Sequence, residues 1–248
     1  MSHRVVLFDL FDTLVLFERE RMPEVQINGR TVRSTAGHLH RVFQPFAPGV
    51  ELTAFFDALI GSWKEAERIR DATHREVSAP ERFDMVFKRL GLESSMLPPE
   101  ALEMLLTTHM RELSKAVVCP PHHAAVLTAL RNGRRLGVVS NFDYTPTARL
   151  ILDREGLSGL FETVIVSDEI GWRKPKAVIF ETALRRLGVG AEEALFVGDR
   201  ADIDVVGAQA VGMATAWINR DAAALPEGAT APDFEIRDLK ELEAILGD

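Results

Sequence analysis

Residues 5–14 read Val5-Val6-Leu7-Phe8-Asp9-Leu10-Phe11-Asp12-Thr13-Leu14. Four consecutive apolar residues are typical of a strand that is buried on both faces of a parallel sheet. The carboxylates of Asp9 and Asp12 and the hydroxyl of Thr13 follow on the loop that leaves this strand. A carboxylate in that place serves as a nucleophile, as a metal ligand or only as a cap of the turn. The stretch therefore predicts an α/β fold with candidate functional groups at the end of its first strand.

Four later apolar runs repeat this pattern, and each ends at a small or polar residue. They are residues 136–139 before Ser140, 163–166 before Ser167, 194–197 before Gly198 and 214–218 before Asn219. Helical patterns lie between or beside these runs, at residues 121–132, 145–155, 176–187 and 202–211. Glycines close most of these patterns, as is common at helix ends. The alternation predicts a Rossmann-like parallel sheet with helices on both faces and a crevice at the carboxyl ends of its strands.

The segment 18–118 interrupts this alternation. An alternating pattern around Asn28-Gly29 predicts a small β-hairpin over residues 25–32. Amphipathic patterns then predict helices at residues 53–74, 80–90 and 99–115. We therefore expect two domains. Residues 1–17 and 119–248 form an α/β core, and residues 18–118 form a mostly helical domain with the hairpin.

The composition narrows the range of partners. The 248 residues include 29 Lys and Arg against 37 Asp and Glu, a formal net charge of −8, which argues against a general nucleic-acid surface. Cys119 is the single cysteine and cannot form an internal disulfide, as expected in a reducing compartment. No apolar run approaches the roughly 18 residues that span a bilayer, and the N-terminus lacks a signal-peptide pattern. We expect a cytoplasmic protein, a monomer or homodimer, with no nucleic-acid or membrane partner.

Polar groups at two further strand ends suit an anionic substrate. Ser140 and Asn141 follow the second strand and precede a helix, where a hydroxyl and backbone N–H groups can hold a phosphate oxygen. Lys174 follows the third strand and offers a positive charge to a phosphoryl group or to a nucleophilic carboxylate. Taken alone, these residues also fit other roles, since Ser and Asn commonly cap helices and lysines are mostly solvated at the surface.

Three acidic residues gather after the fourth strand. Asp199, Asp202 and Asp204 lie within six positions and would repel one another without a cation. Carboxylate oxygens are ligands that Mg²⁺ prefers, so the segment predicts a magnesium site. Asp202 is the candidate N-cap of the helix that follows.

Taken together, the four elements resemble the ordered motifs of the haloacid dehalogenase superfamily of aspartate-nucleophile hydrolases. The matching positions are residues 9–14, Ser140, Lys174-Pro175, and Gly198-Asp199 with Asp204 and Gly207-Ala208. The resemblance covers the whole chain. Within it, residues 18–118 look like the helical cap domain that one class of the family carries after the first motif.

The resemblance implies a role for each matching residue. Asp9 would attack phosphorus and form an aspartyl-phosphate that water then hydrolyses. The other residues that it assigns to catalysis are Thr13, Ser140 and Lys174, and Ser140 with Asn141 would bind the substrate. The ligands that it assigns to Mg²⁺ are Asp9, the backbone carbonyl of Phe11, Asp199 and Asp204.

Phe11 departs from the usual pattern. In the family's common phosphatases, an aspartate at this position protonates the leaving group and then activates water. A positioned acid or base contributes about 10² to 10⁴ in rate, so its loss favours leaving groups that are stable as anions. Examples are acyl phosphates, anhydrides, aryl phosphates and halide. The side chain of Asp12 should diverge from that of Phe11, so we do not expect Asp12 to replace the acid.

Three functions remain open. The prediction is a Mg²⁺-dependent phosphohydrolase that acts on a small phosphorylated metabolite with a good leaving group. A 2-haloacid dehalogenase-like hydrolase is the first alternative, because family dehalogenases carry an aromatic residue at the position of Phe11. They lack the paired acidic metal ligands, so residues 198–204 favour phosphorus chemistry. The second alternative is a catalytically weak binding protein, which retention of Asp9 and Lys174 argues against.

Overall fold

The computed structural model of the chain describes residues 3–247. It divides into two compact units. The core unit consists of the chain up to Phe17 and from Val118 onward, and the inserted unit is Glu18–Val117.

The chain passes from the core unit into the inserted unit and back. The core unit begins with β1 (Val5–Phe8) and β2 (Leu16–Phe17). The inserted unit contains β3 (Glu24–Ile27), β4 (Arg30–Arg33), α1 (Ala36–Phe43), α2 (Leu52–Thr73), α3 (Ala79–Arg89) and α4 (Pro99–Lys115). The two-residue strand β5 (Val117–Val118) lies at the boundary where the chain returns to the core unit. The core unit continues with α5 (His123–Arg131), β6 (Arg135–Ser140), α6 (Thr145–Arg154), β7 (Thr163–Val166), α7 (Ser167–Ile170), α8 (Ala177–Leu187), β8 (Ala194–Gly198), α9 (Val206–Ala210), β9 (Ala214–Ile218), β10 (Phe234–Ile236) and α10 (Leu242–Leu246).

Six parallel strands form the sheet of the core unit, in the order β10-β9-β8-β1-β6-β7. The four apolar residues of β1 are fully buried, since this strand lies inside the sheet between β6 and β8. From β1 the chain builds β6 and β7 on one side and then crosses to β8, β9 and β10 on the other. Parallel sheets bind ligands where the strand order reverses in this way, so the carboxyl end of β1 is the expected position of a site.

Helices lie on both faces of this sheet. Crossovers between parallel strands are nearly always right-handed, which for this strand order puts α5 and α6 on one face and α8 and α9 on the other. On the second face, Phe180 of α8 packs with Leu7 of β1 and Phe196 of β8 in one apolar cluster. The Phe180 and Phe196 rings meet edge to face with their centroids 5.1 Å apart. The predicted fold class, a Rossmann-like α/β sheet with helices, is confirmed.

The structure contains several elements that the sequence analysis did not predict. The short strand β10, at an edge of the sheet, was not predicted, and neither was α1. A helix covers residues 201–210, close to the predicted 202–211, but its first half, residues 201–205, is a wide π-helical turn before α9.

Asp202 is not the N-cap of this turn. Its carboxylate pairs with the guanidinium of Arg200, at 2.7 and 2.9 Å. Asp204 closes the turn instead, since its Oδ2 accepts a hydrogen bond from the backbone N–H of Arg200 at 3.1 Å. The turn is therefore organised around the buried carboxylate of Asp204, whereas the sequence analysis gave the capping role to Asp202.

The inserted unit has a β-hairpin and four helices among its described elements. Strands β3 and β4 pair in antiparallel fashion. Asn28 and Gly29 join them with φ angles of 49° and 74°, as a two-residue hairpin turn of type I′ requires. Helices α2, α3 and α4 each begin within one residue of the predicted start. Within residues 3–247, no helix combines the length and the apolar character needed to cross a membrane.

Candidate active site

The loop after β1 is a tight turn, which we call the catalytic turn (residues 9–15). Asp9 begins it, and its N–H donates to the Val197 carbonyl at 2.9 Å. The Leu10 carbonyl accepts the N–H groups of both Leu14 and Val15, at 2.9 and 3.0 Å. This closure makes the end of β1 rigid and anchors it to β8.

Asp12 serves as a turn residue within this segment. Its φ of 55° lies in the left-handed region, which aspartate tolerates better than most side chains. Its Oδ1 accepts the N–H of Phe17 at 3.0 Å, and its carbonyl accepts a hydrogen bond from the Arg220 guanidinium. The Asp12 carboxylate is thus engaged in shaping the turn.

Lys174 is buried between two carboxylates. Its Nζ lies 2.6 Å from Asp9 Oδ1 and 2.8 Å from Asp204 Oδ1. Burial by itself would lower the pKa of Lys174, but the adjacent Asp204 and Asp9 carboxylates raise the pKa above its ordinary value. The lysine is therefore a permanent positive charge beside Asp9.

The side chain of Asn141 forms two hydrogen bonds with the backbone of Lys174. Its Nδ2 donates to the Lys174 carbonyl at 3.0 Å, and its Oδ1 accepts the Lys174 N–H at 2.8 Å. The sequence analysis assigned Asn141 to substrate binding. The structure places it at the edge of the cleft described below, with its amide turned toward the Lys174 backbone.

Three carboxylates converge at this point. One oxygen from each of Asp9, Asp199 and Asp204 lies within 4.8 Å of the other two. Gly198 permits this arrangement, because a Cβ at that position would lie 2.2 Å from Asp204 Oδ2. The Asp199 carbonyl accepts a hydrogen bond at 2.8 Å from the indole N–H of Trp217, which lies on the neighbouring strand β9.

The three carboxylates of this cluster outnumber the single positive charge of Lys174. Burial raises the pKa of Asp9 to about 6, against the lowering effect of Lys174. Burial, together with the nearby carboxylates of Asp9 and Asp204, raises the pKa of Asp199 to about 7. Carboxylate oxygens at this spacing are a donor set that suits Mg²⁺, and a divalent cation would relieve their mutual repulsion. The residues present therefore fit the metal that the sequence analysis expected.

Two buried hydroxyls lie at the same edge of the sheet. Thr13 lies within the catalytic turn, and Ser140 ends β6, two residues after the partner of Phe8. Within residues 3–247, neither Thr13 Oγ1 nor Ser140 Oγ has a hydrogen-bond partner. An unpaired buried hydroxyl costs about 1–3 kcal/mol, so these atoms are suited to an oxygen-rich ligand.

A cleft of about 240 Å³ opens at this edge. The residues that line it are Asp9, Phe11, Asp12, Asn141, Arg173, Lys174, Asp199, Arg200, Ile203 and Asp204. The fully buried Thr13 and Ser140 are not part of this lining. The ring of Phe11 packs against that of Phe142, with centroids 4.8 Å apart and planes inclined by 46°. The cleft accordingly combines a charged end with an aromatic side chain.

Some residues at the site were missed in the sequence. Arg173 and Ile203 line the cleft, and their only signal was adjacency to the recognised motifs. Arg220 stands just beyond a strand end, as the other site residues do. His123, whose Nδ1 lies 2.8 Å from the Leu14 carbonyl, follows two prolines and carries no signal in the sequence.

Known proteins similar to this chain include hydrolases of more than one kind. A family model of haloacid dehalogenase-like hydrolases matches residues 3–212. Pyrimidine 5'-nucleotidase YjjG of Escherichia coli (strain K12) is 32% identical over 168 residues, 66% of this chain and 69% of that protein. Phosphoserine phosphatase of Thermus thermophilus is 30% identical over 249 residues, 96% of this chain and 97% of that protein.

A solved structure extends the comparison to a different reaction. The 2-haloacid dehalogenase from Pseudomonas syringae pv. Tomato DC3000 has a TM-score of 0.67 and 24% identity, over 98% of this chain and 97% of that one. Proteins named as phosphatases and as a dehalogenase therefore resemble this chain, and the fold alone does not decide between their reactions.

Proposed function

The chain belongs to the haloacid dehalogenase-like hydrolase family, whose model matches residues 3–212, and from this membership we propose that it is a Mg²⁺-dependent phosphohydrolase. Its substrate is a small phosphorylated molecule with a good leaving group. The observation that carries the proposal is the convergence of Asp9, Asp199 and Asp204 around a single lysine. Displacement of halide by a carboxylate requires no such acidic cluster, whereas attack on an anionic phosphate benefits from a cation.

Asp9 is the nucleophile of the proposed reaction. An oxygen of its carboxylate forms a bond to phosphorus while the bond from phosphorus to the leaving group breaks, which gives an aspartyl-phosphate. Water then attacks this phosphorus, releases inorganic phosphate and regenerates the carboxylate. Lys174, 2.6 Å from Asp9 Oδ1, holds the carboxylate in one orientation and favours its ionised form.

The remaining residues bind the phosphoryl group. The hydroxyls of Thr13 and Ser140 donate hydrogen bonds to its oxygens, which gives these buried groups the partners that the described part of the protein does not provide. The residues that would hold Mg²⁺ are Asp9, the Phe11 carbonyl, Asp199 and Asp204. When bound, the cation supplies positive charge that offsets repulsion between the attacking carboxylate and the phosphate. In this proposal the inserted unit is the counterpart of the family's helical cap domain.

Phe11 sets the expected leaving group. Its side chain lines the cleft at the position where family phosphatases have their acid, and a phenyl ring transfers no proton. Asp12 is engaged with the Phe17 N–H and does not replace it. The leaving group must then depart as a stable anion, as aryl and acyl phosphates allow.

Phe11→Asp is therefore expected to raise the turnover of alkyl phosphates by about 10² or more, with little change for p-nitrophenyl phosphate. The physical reason is that an alkoxide needs a proton as it departs, whereas p-nitrophenolate does not. Phe11→Asn is the matched control, since it has the same shape as aspartate without a transferable proton. Steady-state rates on both substrate classes measure the effect. Equal gains for both classes, or the same gain with asparagine, would contradict this account of Phe11.

The proposed function is tested by phosphate release from p-nitrophenyl phosphate, acetyl phosphate and a panel of sugar and nucleoside monophosphates. We expect turnover with Mg²⁺, its loss with a chelator, and the highest rates on the activated substrates. Asp199→Asn should raise the Mg²⁺ concentration needed for half-maximal activity by about tenfold or more, since it removes a charged ligand. Asp202→Asn is the control from the same segment, because that carboxylate pairs with Arg200 instead. A turnover rate that is unchanged by the chelator would refute the metal dependence.

Dehalogenation is a second candidate, which the aromatic Phe11 favours. Here a carboxylate oxygen of Asp9 would displace halide from carbon, and water would hydrolyse the resulting ester. Halide release from 2-haloacids, together with no phosphate release from any substrate above, would replace the phosphohydrolase with this function.

A further inference from the structure

Two side chains hold the peptide carbonyls on either side of Thr13. His123 Nδ1 lies 2.8 Å from the Leu14 carbonyl, and the Arg220 guanidinium donates to the Asp12 carbonyl. Because a carbonyl oxygen only accepts hydrogen bonds, His123 must carry its proton on Nδ1. The catalytic turn is thus held from α5 and from the loop after β9, in addition to its own backbone hydrogen bonds.

His123 is suited to a fixed, neutral role. Its side chain is fully buried, and burial lowers the pKa of His123 below its ordinary value. Its ring packs edge to face against that of His122, with centroids 4.7 Å apart, and His122 in turn contacts Asp238 at 2.9 Å. These contacts fix the plane of the imidazole, so its N–H points to one carbonyl.

The hydrogen bonds from His123 and Arg220 are important because Thr13 lies between the two carbonyls that accept them. The buried hydroxyl of Thr13 has no partner among residues 3–247, and the neighbouring Asp12 is in the left-handed conformation. A non-glycine residue in that region is strained and persists only where the surrounding structure holds it. Hydrogen bonds to both flanking carbonyls hold this turn, and a change in the Asp12 backbone would move the Thr13 hydroxyl. In the described part of the chain, the cleft lining contains Phe11 and Asp12 of the turn and neither His123 nor Arg220, so these two reach the cleft through the turn that they contact.

We propose that His123 and Arg220 are positioning residues that clamp the catalytic turn and hold the Thr13 hydroxyl where a phosphoryl oxygen binds. The clamp itself follows from the contacts above, and its effect on turnover rests on the proposed phosphohydrolase function. Displacement of a catalytic group by about 1 Å lowers rates by about 10²-fold. Loss of either clamp should therefore lower kcat far more than it raises KM.

The test compares variants that remove each donor with variants that restore it. His123→Leu removes the N–H and keeps the bulk, whereas His123→Asn returns an amide N–H near the position of Nδ1. Arg220→Met and Arg220→Lys form the second pair, and Arg237→Met is a control for loss of an exposed arginine. The readouts are hydrogen–deuterium exchange of the amides in residues 10–15, kcat and KM on p-nitrophenyl phosphate, and inhibition by orthovanadate.

We expect faster exchange in the turn for His123→Leu and Arg220→Met, and a fall in kcat of about 10- to 100-fold with KM little changed. Orthovanadate should bind more weakly by a similar factor, because it needs the same Thr13 hydroxyl. Asparagine and lysine should restore most of each loss. Arg220 is exposed, so its variants preserve the test if His123→Leu fails to fold.

Exchange and turnover separate the two proposals. If the wild-type protein releases no phosphate but His123→Leu speeds exchange and asparagine reverses it, the clamp is established and the proposed function fails. Unchanged exchange in both donor-removing variants overturns the clamp whatever the turnover. Equal losses in His123→Leu and His123→Asn also overturn it, since they indicate a packing role alone.

Discussion

Asp9→Asn is expected to lower phosphate release by at least about 10⁴-fold while leaving the protein folded. Asparagine has the shape of aspartate, but its amide does not attack phosphorus. Lys174 keeps its ion pair with Asp204 in the variant, so the buried lysine is not left without a partner. The removal of one buried carboxylate also lessens the repulsion that raises the pKa of Asp199.

The measurement is the initial rate on p-nitrophenyl phosphate beside thermal unfolding of the same samples. Asp12→Asn is the control, because asparagine tolerates the left-handed conformation and keeps an Oδ1 for the Phe17 N–H. Comparable rates in Asp9→Asn and the wild type would assign the nucleophile to another residue. A wild type as inactive as the variant on phosphorylated and halogenated substrates would leave the binding protein as the remaining function.

Lys174→Met should destabilise the metal-free protein by about 3–5 kcal/mol, the usual cost of removing one partner of a buried ion pair. The lysine is 2% exposed and contacts both Asp9 and Asp204. Without it these carboxylates meet in a buried space with no cation, and folding then favours their protonated forms. The same change should lower kcat strongly, because an Asp9 that takes up a proton is a poor nucleophile.

The loss of stability should grow as pH rises. The pKa of Asp9 is already raised by burial, to about 6, and loss of Lys174 removes an interaction that lowers it. Between the unfolded pKa and the raised folded pKa, the native state binds more protons than the unfolded state, so the free energy of unfolding falls as pH increases. Chemical denaturation at pH 5 and pH 8 measures this difference. Lys176→Met is the control, since Lys176 lies 3.5 Å over the Trp172 ring and balances no buried carboxylate of the cluster. Equal stability of Lys174→Met and the wild type at pH 8 would contradict the charge-balancing role.

The sheet could be predicted because buried parallel strands have a simple hydrophobic pattern in the sequence. An apolar run that ends at a small or polar residue is readable without any tertiary information, and β1 is the clearest case. The short strand β10 has Glu235 at its centre and pairs only at the edge of the sheet, so it has no such pattern.

The residues of the candidate site could be predicted from the sequence where they follow the predicted strands. Asp9 and Asp199 directly follow β1 and β8, whose carboxyl ends lie at one edge of the sheet. Lys174 and Asp204 lie further along the connections after β7 and β8, which bring their side chains to the same place. What the sequence did not indicate are contacts between distant loops. The hold of Asn141 on the Lys174 backbone depends on how the two loops approach, and the same is true of the clamps on the catalytic turn.

The central place of β1 also governs the order in which the chain can assemble. Val5 pairs with Arg135 on one side and with Ala194 on the other, so β1 is synthesised well before either of its neighbours in the sheet. Contacts between such distant residues slow folding, because long loops must close first. The inserted unit, whose contacts lie within one continuous stretch, can fold while β1 is still unpaired. Asp9 is therefore made long before Val197 and Asp204, and it acquires these surroundings only when β8 and the turn after it have been synthesised.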